Sequence, residues 1–262
     1  MRELSTIRRE LVGDVLVLTI DHPTSRLNTV DHTLHSELAE LFRDLKREDR
    51  ARAALITGRD GVFSAGGDFG FLAATSTMAA RDALRRDGRQ LIWDLLDVEI
   101  PIVAAVDGPA IGLGASIALL CDVVFASDRA SFADPHVKVG IAAGDGGTAI
   151  WPLAIGPARA KQYLLTGDAV DASEAERIGL VNRVVPAAEL HQSALAFAAR
   201  LAAGAPLAVR ATKQAVNKLV KDALNTAFDV AMASELVTFF SDDHAEALDA
   251  LRNKRPPQFK GT

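Results

Sequence analysis

A single cysteine, Cys121, is present in the 262-residue chain. That excludes a disulfide framework and a zinc ribbon, and it suits a reducing compartment. Aromatic residues are scarce, with 11 Phe, 2 Trp and 1 Tyr, too few for base-stacking platforms across a sheet. Positive charge is not in excess either: 29 Lys and Arg stand against 34 Asp and Glu, a net charge of −5. A nucleic-acid binder needs a basic face, so no nucleic-acid partner is expected. Long apolar runs are missing as well. The most apolar stretch, 100–120, is interrupted by Pro101, Asp107, Gly108, Pro109, Gly112 and Gly114, whereas a membrane span needs about 20 apolar residues. The first ten residues lack the apolar region of a secretory signal, so a cytoplasmic location and no membrane partner are expected. What remains is ordinary globular material, 49 % hydrophobic and 24 % charged, able to bury a core without staples.

The chain divides by texture. Over residues 1–190, short apolar runs alternate with helical spacing. Val15–Ile20, Ala53–Thr57, Ile102–Val106 and Asp122–Ala126 read as strands, being β-branched or apolar and too short for buried helices. Asp31 suits a helix N-cap, and Leu34, Leu38, Leu41, Phe42 and Leu45 follow on one helical face. The alternation predicts an α/β fold built from parallel β/α units. Residues 191–262 carry helical spacing only, and four helices are expected over 187–203, 206–221, 226–240 and 242–253. They form too thin a layer for a core of their own, so packing on the first region or on another subunit is expected.

Three glycine-bearing loops follow strand-like runs: Phe63 to Asp68, Asp107 to Ser116, and Pro135 to Gly147. In parallel β/α architectures ligands gather at the carboxyl ends of strands, and glycine lets backbone N–H groups approach them. A helix beginning near Gly114 would add free N–H groups and a positive dipole end suited to a developing negative oxygen. Other motifs are absent. There is no phosphate-loop sequence and no serine-hydrolase elbow, and Gly112-Leu113-Gly114 lacks the third glycine of a dinucleotide fingerprint. His32 and His35 share a helix at i, i+3 but have no third ligand in view. A solvated face is expected for them, and no metal site.

Several ordered motifs together resemble the crotonase superfamily, the enoyl-CoA hydratase/isomerase family. They are Phe63-Ser64-Ala65-Gly66-Gly67-Asp68, then Gly108 to Asp122, then Leu165-Thr166-Gly167-Asp168 with Ala172 to Val181, and the tail from Phe240 to Phe259. The resemblance spans essentially the whole chain. It implies a crotonase-like ββα spiral core over 1–190 and a helical trimerisation region over 191–262. It also implies an acyl-CoA thioester substrate, with coenzyme A as part of that substrate and no separate cofactor. The family's oxyanion hole falls on the backbone N–H groups of Gly67 and Leu113. CoA contacts fall on Arg26, Ala65, Asp68 and Lys254, with Asp68 also expected to shape its own loop by local hydrogen bonds. Trimers or dimers of trimers are expected, and a solution mass near 27.8 kDa would contradict them.

By the same resemblance, typical hydratases carry two glutamates, and their positions hold Ser116 and His136 here. A carboxylate pair that activates water is therefore missing. His136 is the candidate acid or base. Asp145 lies in a loop where isomerases and dehalogenases of the superfamily carry an aspartate, one position earlier. Ser116 is a candidate to hydrogen-bond substrate or its own helix backbone. Isomerisation or a non-standard hydration is expected; thioester hydrolysis, decarboxylation, dehalogenation and a non-catalytic acyl-CoA binder remain alternatives. The acyl pocket is expected between Phe69 and Gln90.

Overall fold

The computed structural model describes residues 3–68, 70 and 77–262. Its frame is a six-stranded sheet in the order β1-β2-β3-β4-β6-β9. Here β1 is Ile7–Val12, β2 Val15–Ile20, β3 Ala53–Gly58, β4 Ile102–Val106, β6 Val123–Ser127 and β9 Arg183–Val185. The first two strands form an antiparallel hairpin, Val12 opposite Val15, turning at Gly13 with φ +59°. All later pairings in this sheet are parallel. A smaller sheet joins β5 (Pro109–Ile111), β7 (Ser131–Ala133) and β8 (Val170–Asp171). The four strands read from the sequence are present, with ends shifted by no more than a residue.

Because side chains alternate across a strand, this sheet buries both faces. Leu16, Leu18 and Ile20 of β2, with Ala54 and Ile56 of β3, look toward α1 (His32–Leu45), α2 (Met78–Asp97) and α3 (Leu113–Leu120). Val15, Val17, Ala53, Leu55, Val103 and Ala105 look the other way, onto α6 (Leu190–Ala202). That helix meets the sheet through Leu190, Ala194, Ala198 and Ala202, four residues apart. Three alanines on one stripe let it approach closely. Asp31 caps α1 as expected, accepting from Leu34 N–H at 2.8 Å.

After α4 (Gly147–Thr166) and α5 (Ala172–Ile178), the C-terminal helices depart from the sequence reading in one respect. Residues 206–221 and 226–240 are not two helices. Up to Thr238 they belong to one 33-residue helix, α7 (Pro206–Thr238), with Phe239 and Phe240 in the turn that follows. Its middle, Asp222 to Asn225, holds no glycine or proline, and the buried stripe of Leu224, Phe228 and Met232 runs straight through it. This stripe packs on the same core as α1 and α2. The final helix, α8 (Asp242–Arg252), is capped by Ser241, which accepts from His244 N–H at 3.1 Å. Among the described residues no single helix is long and apolar enough to cross a membrane.

Candidate active site

The first two glycine loops lie against each other. Ser64 N–H donates to Pro109 C=O at 3.0 Å, and Ile111 N–H donates back to Ser64 C=O at 3.0 Å. Gly114 at the start of α3 touches the same serine so closely that a Cβ there would stand 2.8 Å from Ser64 Cβ. On its other edge the first loop pairs with Val30, which donates to Gly66 C=O and accepts from Asp68 N–H. In such a ladder the intervening Gly67 N–H points to the opposite side. Leu113 is the first residue of α3, where N–H groups have no partner within the helix. Gly67 and Leu113 border the same cavity, of about 210 Å³. Ala65 borders it too. Asp68 accepts from Gly70 N–H at 2.8 Å, a local loop bond. Arg26 and Lys254 are exposed, and neither lines the cavity of its own chain.

The third loop supplies the titratable groups. Pro135 to Gly140 makes one 3-10 turn that ends with Gly140 at φ +71°, and it carries His136 into the cavity. The imidazole Nδ1 is hydrogen-bonded to the carboxylate of Asp134, which is buried at 1 % exposure. The opposite nitrogen, Nε2, faces Asp145 Oδ2 at 3.6 Å and Glu235 Oε1 at 3.9 Å. Ser116 does not border the cavity, and it bonds neither its own backbone nor a site for substrate. Fully buried on α3, its hydroxyl donates to Asp145 Oδ1 at 2.9 Å and so aims that carboxylate.

Burial alone would lower the His136 pKa, but Asp134, Asp145 and Glu235 outweigh it and hold the imidazole well above its ordinary range. Burial raises Asp145, opposed by His136. Glu235 is pushed up to about 8, first by burial, with Asp145 and Asp134 adding to the effect and His136 opposing it. At neutral pH the site therefore pairs a protonated imidazole with a neutral Glu235. Pairs whose environments separate their pKa values are how one site holds acid and base together. Asp134, His136 and Asp145 also present donor atoms within 4.8 Å of one another, a grouping able to hold a metal ion. The hydrogen bonds already made by His136 Nδ1 and Asp145 Oδ1 favour proton transfer as their task.

Three residues that border the cavity, His35, Arg81 and Glu235, and Asp134 behind it were given no role at the site by the sequence. His35 is not on a solvated face: it is buried, borders the cavity, and is lowered by burial, whereas His32 is exposed. The α1 face that carries Leu34 and Leu38 also carries His35, and that spacing is legible in retrospect. Asp134 stands two residues before His136, a separation that a loop gives no period to interpret. Glu235 and Arg81 lie on separate helices and meet the site only through packing. The segment expected to line the acyl pocket contributes Arg81, Leu84, Arg85 and Gly88; Phe69 and 71–76 lie outside the described residues.

Glu235 makes one consequence measurable. Its pKa rises from near 4.5 to about 8 on folding, so the native chain binds more protons in that interval. The stability from the neutral form is complete below about 4.5 and declines as pH rises through 8. Glu235→Gln removes that ionisation. Its Tm should gain on wild type between pH 5 and pH 8 by several degrees, at about 2–4 °C per kcal/mol for a chain of this size. A Tm difference independent of pH over that range would refute it.

A spiral of ββα units with two apposed glycine loops and a cluster of titratable groups bordering one cavity places the protein in the crotonase-fold class of enzymes. The chain belongs to the enoyl-CoA hydratase/isomerase family, whose model matches residues 10–262. A probable enoyl-CoA hydratase of Mycobacterium leprae is 36 % identical over 251 residues, covering 93 % of each chain. The crystal structure of an enoyl-CoA hydratase/isomerase from Mycobacterium paratuberculosis superposes with TM-score 0.89 at 38 % identity, over 94 % of this chain and 98 % of that one. A beta-diketone hydrolase from the cyanobacterium Anabaena sp. PCC 7120, bound to (S)-3-oxocyclohexyl acetic acid, superposes with TM-score 0.84 at 28 % identity, over 95 % and 96 %. This chain is thus an enoyl-CoA hydratase/isomerase-like enzyme.

Proposed function

We propose that the enzyme moves a double bond along an acyl-CoA thioester by proton transfer. The Gly67 and Leu113 N–H groups hold the thioester oxygen. Asp145, a stronger base than an exposed carboxylate, takes a proton at the α- or γ-carbon, and the electron pair moves onto that oxygen as a dienolate. His136 Nε2 delivers a proton to the other carbon, and the Asp145 proton returns to His136 across their contact. The carrying observation is that His136 Nε2 and Asp145 Oδ2, 3.6 Å apart, belong to residues that border the same cavity as Gly67 and Leu113. Fixed donors of this kind contribute about 3–4 kcal/mol each to an oxyanion-like transition state. Ser116 and His136 in place of two glutamates favour this over water addition.

The likeness to a beta-diketone hydrolase supports a second reading. Water would add to one carbonyl carbon, giving its proton to Asp145. The bond to the central carbon would break with the electron pair on that carbon, and His136 would protonate it, yielding a keto acid. Incubation with 3-hexenoyl-CoA in D₂O separates the two. Conversion to the conjugated isomer with deuterium at the newly protonated carbon is expected. No isomer and no exchange, with cleavage of a cyclic 1,3-diketone instead, would replace the first reading by the second.

CoA recognition by Arg26, Ala65, Asp68 and Lys254 belongs to the same proposal, as does a trimeric assembly in which Lys254 reaches a neighbour's ligand. Exposed Leu207, Leu219, Val230 and Val237 on α7 support an assembly surface. Light scattering should give a multiple of 27.8 kDa; a monomer would contradict it.

A further inference from the structure

One buried charge at the cavity takes no part in this proton transfer. Arg81, in the first turn of α2, is 6 % exposed and borders the cavity that holds His136 and Glu235. Its guanidinium carbon lies 4.1 Å from the ring centre of Phe239 and 4.9 Å from that of Phe240. Those two rings cover the cation but cannot accept its N–H groups in their plane. Among the described residues Nε and Nη1 are buried with no hydrogen-bond partner.

The neighbouring arginine shows the contrast. Arg85 borders the same cavity, one helical turn on, and is engaged by Asp82 through Nε at 3.1 Å and Nη2 at 2.9 Å. Glu235 is the acid whose charge is felt at Arg81, yet it stays mostly neutral below about pH 8. A buried guanidinium is always charged and is costly to bury unless an anion meets it. Its planar fork matches a carboxylate through two parallel hydrogen bonds.

We propose that Arg81 selects the substrate by binding a carboxylate carried on the acyl chain, so that the preferred substrate is the mono-CoA thioester of a dicarboxylic acid. This deepens the acyl-CoA reading and rests on it. The carboxylate gives the Arg81 guanidinium an acceptor at one edge, with the Phe239 and Phe240 rings lying against the cation. Plain hydrocarbon chains leave the guanidinium buried and unpaired, and they are rejected for that reason.

Calorimetric titration compares glutaryl-CoA with butyryl-CoA, and adipyl-CoA with hexanoyl-CoA, on wild type, Arg81→Met and Arg81→Lys. In wild type each dicarboxylic thioester should bind at least tenfold tighter than its hydrocarbon counterpart. In Arg81→Met, which keeps an unbranched chain against the rings, that ratio should fall to near one. Arg81→Lys, a point charge without the fork, should restore part of it. Equal affinities in wild type, or an undiminished ratio in Arg81→Met, overturns the assignment while leaving acyl-CoA binding intact. If none of the four thioesters binds wild type, the acyl-CoA reading falls and this proposal falls with it. The wild-type comparison needs no variant, so a folding failure does not shield the proposal.

Discussion

His136→Gln should turn over its acyl-CoA substrate about 10²- to 10⁴-fold more slowly than wild type, the usual contribution of a positioned proton donor. The glutamine amide can still donate to the buried Asp134 carboxylate, so the variant keeps that group partnered. His136→Ala cannot. Breaking a buried charged pair costs about 3–5 kcal/mol, because one charge is left uncompensated. The alanine variant should therefore lose stability as well as rate, and the glutamine variant mainly rate. Turnover in both within threefold of wild type would remove His136 from the chemistry.

The pH profile of wild type adds a second readout. In the proposed mechanism His136 is the acid, and its pKa is raised by Asp134, Asp145 and Glu235 against the pull of burial. The acidic form is thus present at neutral pH, and the rate should fall as pH climbs through that raised value. Asp134→Asn removes the carboxylate bonded to Nδ1 and should move the fall toward lower pH. An unmoved profile would show that Asp134 does not hold the imidazole.

Gly108→Ala should cost about 3–5 kcal/mol, or on the order of 10 °C in Tm. Gly108 sits at φ +62°, a left-handed backbone that a side chain resists by about 1–2 kcal/mol. An added Cβ would stand 2.2 Å from Gly61 C=O, which is backbone and cannot rotate away. Gly108 also accepts from Ser131 N–H at 3.0 Å, next to Asp107, which accepts from Phe63 N–H at 2.9 Å. A shift there displaces both loops that present Gly67 and Leu113. Gly13→Ala is the control: φ is +59° but nothing lies within 4 Å of the new Cβ, so only the backbone cost of about 1–2 kcal/mol applies. Equal Tm losses in the two variants would sink the steric argument.

Sheet strands were legible because an apolar run of five or six residues between turns has few other structures available. Asp31 was legible as a cap for a local reason: its carboxylate meets Leu34 N–H three residues on. The break expected within 206–240 was not there, since helical spacing locates a buried face but marks no end without a glycine or proline. The place of His35 is not legible in the sequence, because a histidine on an apolar stripe resembles one on the opposite face until the neighbouring helix is placed; here Gly88 of α2 leaves it room, a Cβ at Gly88 lying 3.7 Å from His35 Nε2.

By itself the sequence carried the α/β alternation, the family resemblance and the glycine loops. All of these are local patterns, set by neighbours within a few residues. Only the tertiary structure decided that Ser116 aims Asp145, that Asp134 stands behind His136, and that Glu235 and Arg81 face the same cavity. Glu235 is 99 positions beyond His136, and no periodicity connects them; the packing of α7 on the core brings them to 3.9 Å. The single cysteine raised no chemistry: Cys121 is buried at the end of α3, its thiol donating to Ile117 C=O at 3.2 Å and pushed far above its ordinary range by burial. Charge and hydrogen-bond partners depend on distance in space. Chain order does not encode that distance until the helices dock.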